Sequence, residues 1–396
     1  MIKLPDRVVD LLLYSLSAVF ALVTALTSTL LPHRAWGAVA ACGYLAAALL
    51  VYLVRRRDLL TWATWGAVAL LPMVIQAVQR AGGRTDRAQE EVLVVEHMGE
   101  SLLHHGTPYL SRAEIAAIPL DERLLGYRPY QPGMSIFGVP RALAGDFWWT
   151  DARIWFAVVT VGALVAAFHF VPSVRALQAA TVLPVTALTL ATGGDDIPVL
   201  ALCLLALALI HRGSFAWAGV AVGVAAACKL FALPVVAVLV LYALFTRSWR
   251  LLPGALGLPL LALVPPLLVA PDALIENVLR FPLGHGLVTS PAQSPFPGYL
   301  ISQIEPGGRY LAMGLLGLAA VVIGALLLRR PPRTAASAAF FCGYGLLTAI
   351  LLMPTTRFGY LLYPAALVFF ALALSKDTAS SPLSSAARGD TALYRQ

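Results

Sequence analysis

Charge is what this sequence has least of. Of its 396 residues, 12% are Asp, Glu, Lys or Arg and 59% are hydrophobic, and the mean hydropathy is +0.80. A soluble domain carries roughly 25% charged residues. A fully water-covered surface is thereby excluded, and lipid covers most of the outside. The chain also lacks a glycine-rich phosphate loop of the nucleotide-binding type. Its four cysteines, Cys42, Cys203, Cys228 and Cys342, each lie inside an apolar run without zinc-site spacing, and they read as small buried hydrophobes. The seven histidines make no metal pattern; His104 and His105 are adjacent and point to different helix faces. No carboxylate sits in the middle of an apolar run, where a proton-coupled transporter usually keeps one. The net charge of +8 does not read as nucleic-acid binding, because many basic residues sit in short clusters between apolar runs, as membrane topology predicts. The first run, 11–31, is too long for a cleaved signal peptide and has no clear small-residue cleavage site.

What is present is a series of apolar runs, near 11–31, 36–54, 60–79, 152–170, 176–192, 197–211, 215–230, 232–246, 251–270, 309–328, 335–353 and 358–375. A spanning helix needs roughly 20 such residues. The expected fold is therefore an all-α integral membrane protein of about 12 transmembrane helices. Residues 215–246 allow two short helices or one long helix broken at Pro234. Residues 1–374 read as a single multi-pass membrane domain with long outer loops at about 80–150 and 271–308. Residues 375–396, polar and rich in Ser and Ala, read as a disordered cytoplasmic tail. No internal repeat is visible.

Orientation follows from the basic loops. Arg55, Arg56, Arg57, Arg175, Arg212, Arg247, Arg250, Arg329, Arg330 and Arg333 fall on the same side as Lys3, Arg7 and Lys376, which makes that side and both termini cytoplasmic. Of the acidic residues, only Asp6, Asp10, Asp58, Asp377 and Asp390 share it; the others, Glu305 among them, fall outside. The membrane is the inner, cytoplasmic one.

In the first outer loop, Gln89 to His105 reads as a helix with Val92, Val95, Gly99, Leu102 and Leu103 on one stripe. Gly106 is its C-cap, followed by Pro108. Such an amphipathic segment lies on the bilayer surface. Glu96 and Glu100 are four apart and share a face, and Glu91 sits near the helix start, where the dipole favours a carboxylate. Tyr127-Arg128-Pro129-Tyr130-Gln131-Pro132-Gly133-Met134 then turns the chain onto a second interfacial helix, and Trp148 and Trp149 anchor the next span.

An acidic residue after an early outward helix, an interfacial helix, Leu102-Leu103-His104-His105-Gly106-Thr107-Pro108-Tyr109 and then Tyr130-Gln131-Pro132 resemble the membrane glycosyltransferases of the GT-C fold. Among these the chain is most similar to family 87, the polyprenyl-phosphate-mannose-dependent mannosyltransferases. The resemblance covers most of the membrane region. It implies a GT-C-like bundle with interfacial helices in the first outer loop. In that family an Asp ahead of the Gly-x-Pro-Tyr element is the proposed catalytic base. This chain has Val92 at that position and Glu91 beside it, so Glu91 is the first choice, with Asp86 and Glu96 as rivals. The bland reading is that these acids solvate an exposed helix face.

Other candidates bind substrate. In Gly193-Gly194-Asp195-Asp196-Ile197-Pro198, Asp195 or Asp196 orients an acceptor hydroxyl, or Asp196 simply caps the next helix with Pro198 in its first turn. Lys229 stands alone in the apolar stretch 220–244, and it either holds a lipid-linked phosphate or snorkels to the interface. Arg280, before His285 in the second outer loop, and Arg357, in Arg357-Phe358-Gly359-Tyr360, suit phosphate because a guanidinium donates two parallel hydrogen bonds; plain interfacial arginines are the alternative. Tyr130 and His285 complete the expected substrate set. The resemblance thus implies an inverting glycosyltransferase moving a sugar, with mannose the sugar the family points to, from a polyprenyl-phosphate donor to a lipid or glycan acceptor on the outer face, with no cofactor and no metal ligands identified. Its partners are membrane lipid, that donor and that acceptor, with no nucleic acid. A transporter or flippase of lipid-linked glycans is the runner-up, and a non-catalytic subunit binding a partner through the 80–150 loop is third.

Overall fold

The computed structural model describes residues 4–304 and 306–380. Lys3, Glu305, Asp390 and residues 381–396 of the expected tail lie outside the described residues. The described residues form helices and no strand; one isolated bridge pairs Gln293 with Thr356. In chain order the helices are α1 (Asp6–Thr27), α2 (Leu31–Leu50), α3 (Arg57–Ala81), α4 (Glu90–His105), α5 (Arg112–Ala117), α6 (Val139–Ala144), α7 (Ala152–Phe170), α8 (Val174–Thr181), α9 (Pro184–Thr192), α10 (Asp196–His211), α11 (Phe215–Cys228), α12 (Leu233–Thr246), α13 (Leu252–Val269), α14 (Pro271–Ile275), α15 (Pro297–Ser302), α16 (Gly308–Arg329), α17 (Ala335–Leu352) and α18 (Leu362–Ser380).

Each expected apolar run falls on one of these helices or on the bent pair α8–α9. The expected count of about 12 spans is not confirmed by helix length and composition. Among the described residues, seven helices are long and apolar enough to cross a membrane: α1, α3, α7, α13, α16, α17 and the last, over Phe358–Asp377. An eighth is the pair α8–α9, bent by 43° ahead of Pro184. The helices α10, α11 and α12 are apolar but shorter, and most of α10 is buried among its neighbours. The last helix continues to Ser380, past the boundary at 375 where the tail was expected to begin. The break within 215–246 comes at Lys229, and Pro234 occupies the first turn of α12, where a missing N–H costs nothing.

One apolar core runs through the bundle, with α1 against α2, α10 against α7 and α11, α11 against α13, and α17 against α18. At one end the starts of α1, α3 and α8 are tied together. Arg57 and Arg175 both reach Asp10, at 2.5 and 2.6 Å, and Gln178 adds a bond at 2.9 Å. These are residues the charge pattern assigns to a common side.

The first long loop packs on the other end. Gly106 takes the left-handed conformation (φ 69°), and its N–H donates to the Leu102 carbonyl, closing α4 as expected. Gly99 of α4 faces Gly138 so closely that a Cβ on either would strike the other's backbone neighbourhood. Backbone-to-backbone contact therefore fixes α4 on the Pro132–Gly138 turn, which leads into α6. Glu96 does not share an exposed face with Glu100. It is 5% exposed and bonds Arg80 at 2.6 Å, while Arg80 also reaches Asp151 and Asp151 pairs with Arg153 at 2.7 Å. Burying Glu96 is tolerable because two guanidiniums pair with it, Arg80 and, at 3.2 Å, Arg141.

The two long loops are joined to each other. Glu276, fully buried, accepts from Arg112 at 2.7 Å and from the Tyr127 hydroxyl at 2.9 Å, and Tyr127 stacks on Phe281.

Candidate active site

Three chain segments converge on the side of the bundle that carries the first long loop. The first is the start of α4. Its N-cap residue Gln89 is pinned to the end of α9: its backbone N–H donates to the Thr192 carbonyl at 3.0 Å, and its side-chain oxygen accepts from the Thr192 hydroxyl at 2.7 Å. That anchor sets the direction in which Glu91, in the first turn, leaves the helix. The second is the Gly193–Asp196 turn entering α10. The third is Arg357, in extended conformation just before the short turn Phe358–Leu361.

Arg357 and Glu91 form a direct ion pair between Nη1 and Oε1. Their side chains are 36% and 16% exposed, so the pair is open on one side. Val92, at the position where the resembling family has its acid, is fully buried. A carboxylate there would lie in the core, and the neighbouring Glu91 presents one to the site instead.

Lys229 has a backbone of its own kind. The α11 helix stops at Cys228, Lys229 is extended (φ −151°, ψ 141°), and the freed Cys228 carbonyl accepts from the Gln131 N–H at 3.1 Å. The break turns the ammonium toward the Asp195–Asp196 pair, at 2.5 and 2.6 Å. It is also 5.3 Å from the Tyr130 ring centre and 5.8 Å from that of Tyr360, within cation–π range. A lysine buried this deeply needs such compensation; it does not snorkel. Asp196 is not a helix cap. Its carboxylate serves Lys229 and accepts from the Tyr363 hydroxyl at 2.8 Å.

Tyr130 links the two charged groups. Burial pushes its phenol well above the usual range, and the charges of Asp195 and Glu91 add to that. Glu90, beside Glu91, is raised by burial and then by its neighbour's charge, and Arg357 opposes. Glu91, Arg357, Lys229, Asp195, Asp196 and Tyr130, named from the sequence as separate candidates, thus meet at one site. Tyr360 and Tyr363 join them.

The remaining candidates are elsewhere. Asp86 is engaged by Arg84 and Arg87, and the Arg84 hydrogen bond holds its carboxyl down at about 2. Glu96 belongs to the Arg80–Asp151 network. Arg280 sits 3.5 Å from Glu276, and the His285 carbonyl accepts from Arg112 in the same knot between loops. Arg280 thus has its ion-pair partner in Glu276, four residues earlier on the same turn of chain, and not in the Glu91–Lys229 cluster. Two residues that sequence reasoning passed over are Gln89 and His33. His33, in the first turn of α2, lies near Gln89 and in the field of Glu91.

Among the described residues no cluster of His, Cys, Asp and Glu has a metal-holding arrangement. The cluster offers one half-open carboxylate next to a guanidinium, and a buried ammonium held by two carboxylates: a proton acceptor beside two cations.

Two solved structures are similar in fold at 17% identity. ArnT from Cupriavidus metallidurans bound to undecaprenyl phosphate aligns over 81% of this chain and 60% of that one, with a TM-score of 0.47. ArnT from the same organism in the apo state aligns over 74% and 56%, with a TM-score of 0.40. The chain thus spans about 60% of the length of the solved structures it matches. No curated protein matches it. Residues 129–354 match the model of glycosyltransferase family 87, a stretch that includes Tyr130, Asp195, Asp196 and Lys229 and stops short of Glu91 and Arg357. This match covers more than half of the sequence, and the chain belongs to glycosyltransferase family 87.

Proposed function

We propose that the chain transfers a sugar, mannose in the reading its family favours, from a polyprenyl-phosphate donor to a lipid or glycan acceptor on the outer face of the cytoplasmic membrane. The observation that carries this reading is the Glu91–Arg357 pair beside the Lys229–Asp195–Asp196 cluster. A lipid-linked donor reaches such a site laterally from the bilayer and brings its own activation, so no nucleotide is needed.

The donor phosphate draws Arg357 and Lys229 to its oxygens. Arg357 thereby releases Glu91. The Glu91 carboxylate accepts the proton of an acceptor hydroxyl while that oxygen attacks the anomeric carbon. The bond from that carbon to the phosphate oxygen breaks on the opposite face, its electron pair leaves with the polyprenyl phosphate, and the configuration inverts in one displacement. Arg357 and Lys229 stabilise the charge growing on the leaving phosphate. Asp195 and Asp196 hold the ammonium in place, and Tyr130 offers a ring to the sugar.

The test is transfer in proteoliposomes. Purified protein is given a radiolabelled polyprenyl-phosphate mannose and a lipid extract as acceptor, then the analogous glucose and arabinose donors. Label on the acceptor with release of polyprenyl phosphate is the expected result. If no donor in the series is consumed, the reading is wrong. If intact lipid-linked glycan crosses the bilayer with its phosphate bond unbroken, the protein is a flippase.

A further inference from the structure

A cavity of about 580 Å³ lies in the first long loop, between α4 and the segment that follows it. Its polar walls are His97, Glu100, Glu114, Glu122 and Arg128. None of these takes part in the Glu91–Lys229 site.

Arg128 is the unusual member. It is 5% exposed, and Nη1 donates to the Ser101 hydroxyl at 2.6 Å and to the Pro108 carbonyl at 2.7 Å. Its Nε has no hydrogen-bond partner among the described residues, and no carboxylate there is within ion-pair distance of its guanidinium. A buried guanidinium with an unused donor costs stability. Burial pushes it down to about 10, and Glu100 and Glu114, the nearest acids, pull the other way. It therefore stays charged at neutral pH, with one donor, Nε, unused.

The charges around the cavity define what can fill it. An anion would satisfy Arg128 and be repelled by Glu100, Glu114 and Glu122. A cation would satisfy the carboxylates and be repelled by Arg128. A neutral polyol suits both, because each hydroxyl accepts a hydrogen bond from a guanidinium and donates one to a carboxylate. Leu125 and Ile118 supply an apolar wall, which suits the C–H face of a sugar ring.

The helix α4 connects this cavity to the reacting groups. Glu90, Leu93, His97, Glu100 and His104 are the residues of α4 that remain exposed or half-exposed along one line, at spacings of three and four. The line starts beside Glu91 and Arg357 and ends at the cavity. From Glu91 to Glu100 the rise along the axis is roughly 13 Å, a distance a linear glycan of several rings covers.

We propose that this cavity is a carbohydrate subsite that holds a hydroxyl-rich part of the acceptor, away from the hydroxyl that reacts. The inference rests on the glycosyltransferase reading above and adds the acceptor class: a glycan of several sugars, lying along the exposed line of α4.

The experiment uses the full chain in detergent micelles and a panel of soluble manno-, gluco-, galacto- and arabino-oligosaccharides, with binding read by saturation-transfer NMR. Binding needs no donor and no turnover. Wild type is expected to bind at least one panel member saturably, and Glu91→Gln to bind it equally. Glu122→Gln, on the exposed rim, and Arg128→Lys should each weaken it about tenfold or more, as loss of a hydrogen bond to a charged group does. In transfer assays the same two variants should raise the acceptor KM with kcat nearly unchanged. If wild type binds no panel member, or if binding is indifferent to both cavity variants, the inference is overturned. Sugar transfer by wild type with unchanged acceptor KM in Glu122→Gln also overturns it and leaves the transferase reading intact. Glycan binding through the cavity with no transfer from any donor defeats the transferase reading and leaves a carbohydrate site.

Discussion

Glu91 and Arg357 meet as an ion pair although 266 positions of sequence separate them. One comes from the first turn of α4, the other from the approach to the last helix. A carboxylate paired in this way is a poor proton acceptor until something else takes the guanidinium. In the proposed mechanism the donor phosphate does so, and occupancy of the donor site would then be the condition for acceptor deprotonation.

Substitution of Glu91 tests this directly. Glu91→Gln should lower transfer about 10²–10⁴-fold while donor binding and thermal stability remain near wild type. Asp86→Asn, altering an exposed pair, should leave transfer unchanged. Glu96→Gln should behave differently from both, losing stability by about 3–5 kcal/mol because Arg80 is left beside a neutral partner. Near-normal transfer by Glu91→Gln, with loss in one of the others, moves the base to that residue.

Lys229 separates charge compensation from phosphate binding. Lys229→Met leaves Asp195 and Asp196 facing one another without a cation, and a loss of about 3–5 kcal/mol is expected, read as a lower melting temperature in detergent. Adding Asp195→Asn and Asp196→Asn should restore the melting temperature and leave transfer undetectable. A stable triple variant with full activity removes Lys229 from the mechanism.

Asp151 predicts the acid behaviour of the first loop. Burial alone would raise its carboxyl, but Arg153 and then Arg80 outweigh it and hold the group well below the usual carboxylate range. A depressed folded value means that the contribution is complete above the ordinary carboxylate value of about 4 and fades as pH falls through the folded value. Melting temperature should therefore hold from pH 7 down to about 4 as far as this group is concerned. Asp151→Asn should already be less stable at pH 7, by about 3–5 kcal/mol. An unchanged melting temperature for Asp151→Asn would show the network to be dispensable.

Topology is testable in whole cells. In a background lacking Cys42, Cys203, Cys228 and Cys342, a cysteine at Thr85 should react with an impermeant thiol reagent and one at Arg330 should not. Both positions are exposed. The opposite pattern inverts the orientation and moves the site to the cytoplasmic face.

Much of the bundle was legible because hydrophobic runs are long and caps are local: Gly106 ended its helix where its backbone freedom predicted. The break at Lys229 was half legible. A lone lysine in an apolar run signals function, but the partners that make its burial possible lie on another helix and carry no local mark. Asp196 read as a cap because capping is a sequence-local event; its choice of Lys229 over its own backbone is tertiary. Arg280 and Glu96 went astray for the same reason. Both have the right chemistry for the role assigned, and both are claimed by partners on other segments or on the same turn, which periodicity alone does not reveal. Arg128 drew no attention at all, since an unpaired donor is visible only once the chain has folded around it.

The knot at Glu276 has a consequence for how the protein is made. Arg112 belongs to a loop synthesised early, and its partner Glu276 follows 164 residues later. At typical rates of synthesis the ribosome needs roughly 10–30 s to produce that interval. During that time the first long loop carries Arg112 and Tyr127 without the carboxylate that anchors them. The two long loops are thus tied together only after most of the bundle has been made, and a defect in the 271–308 segment would leave the first loop without that anchor.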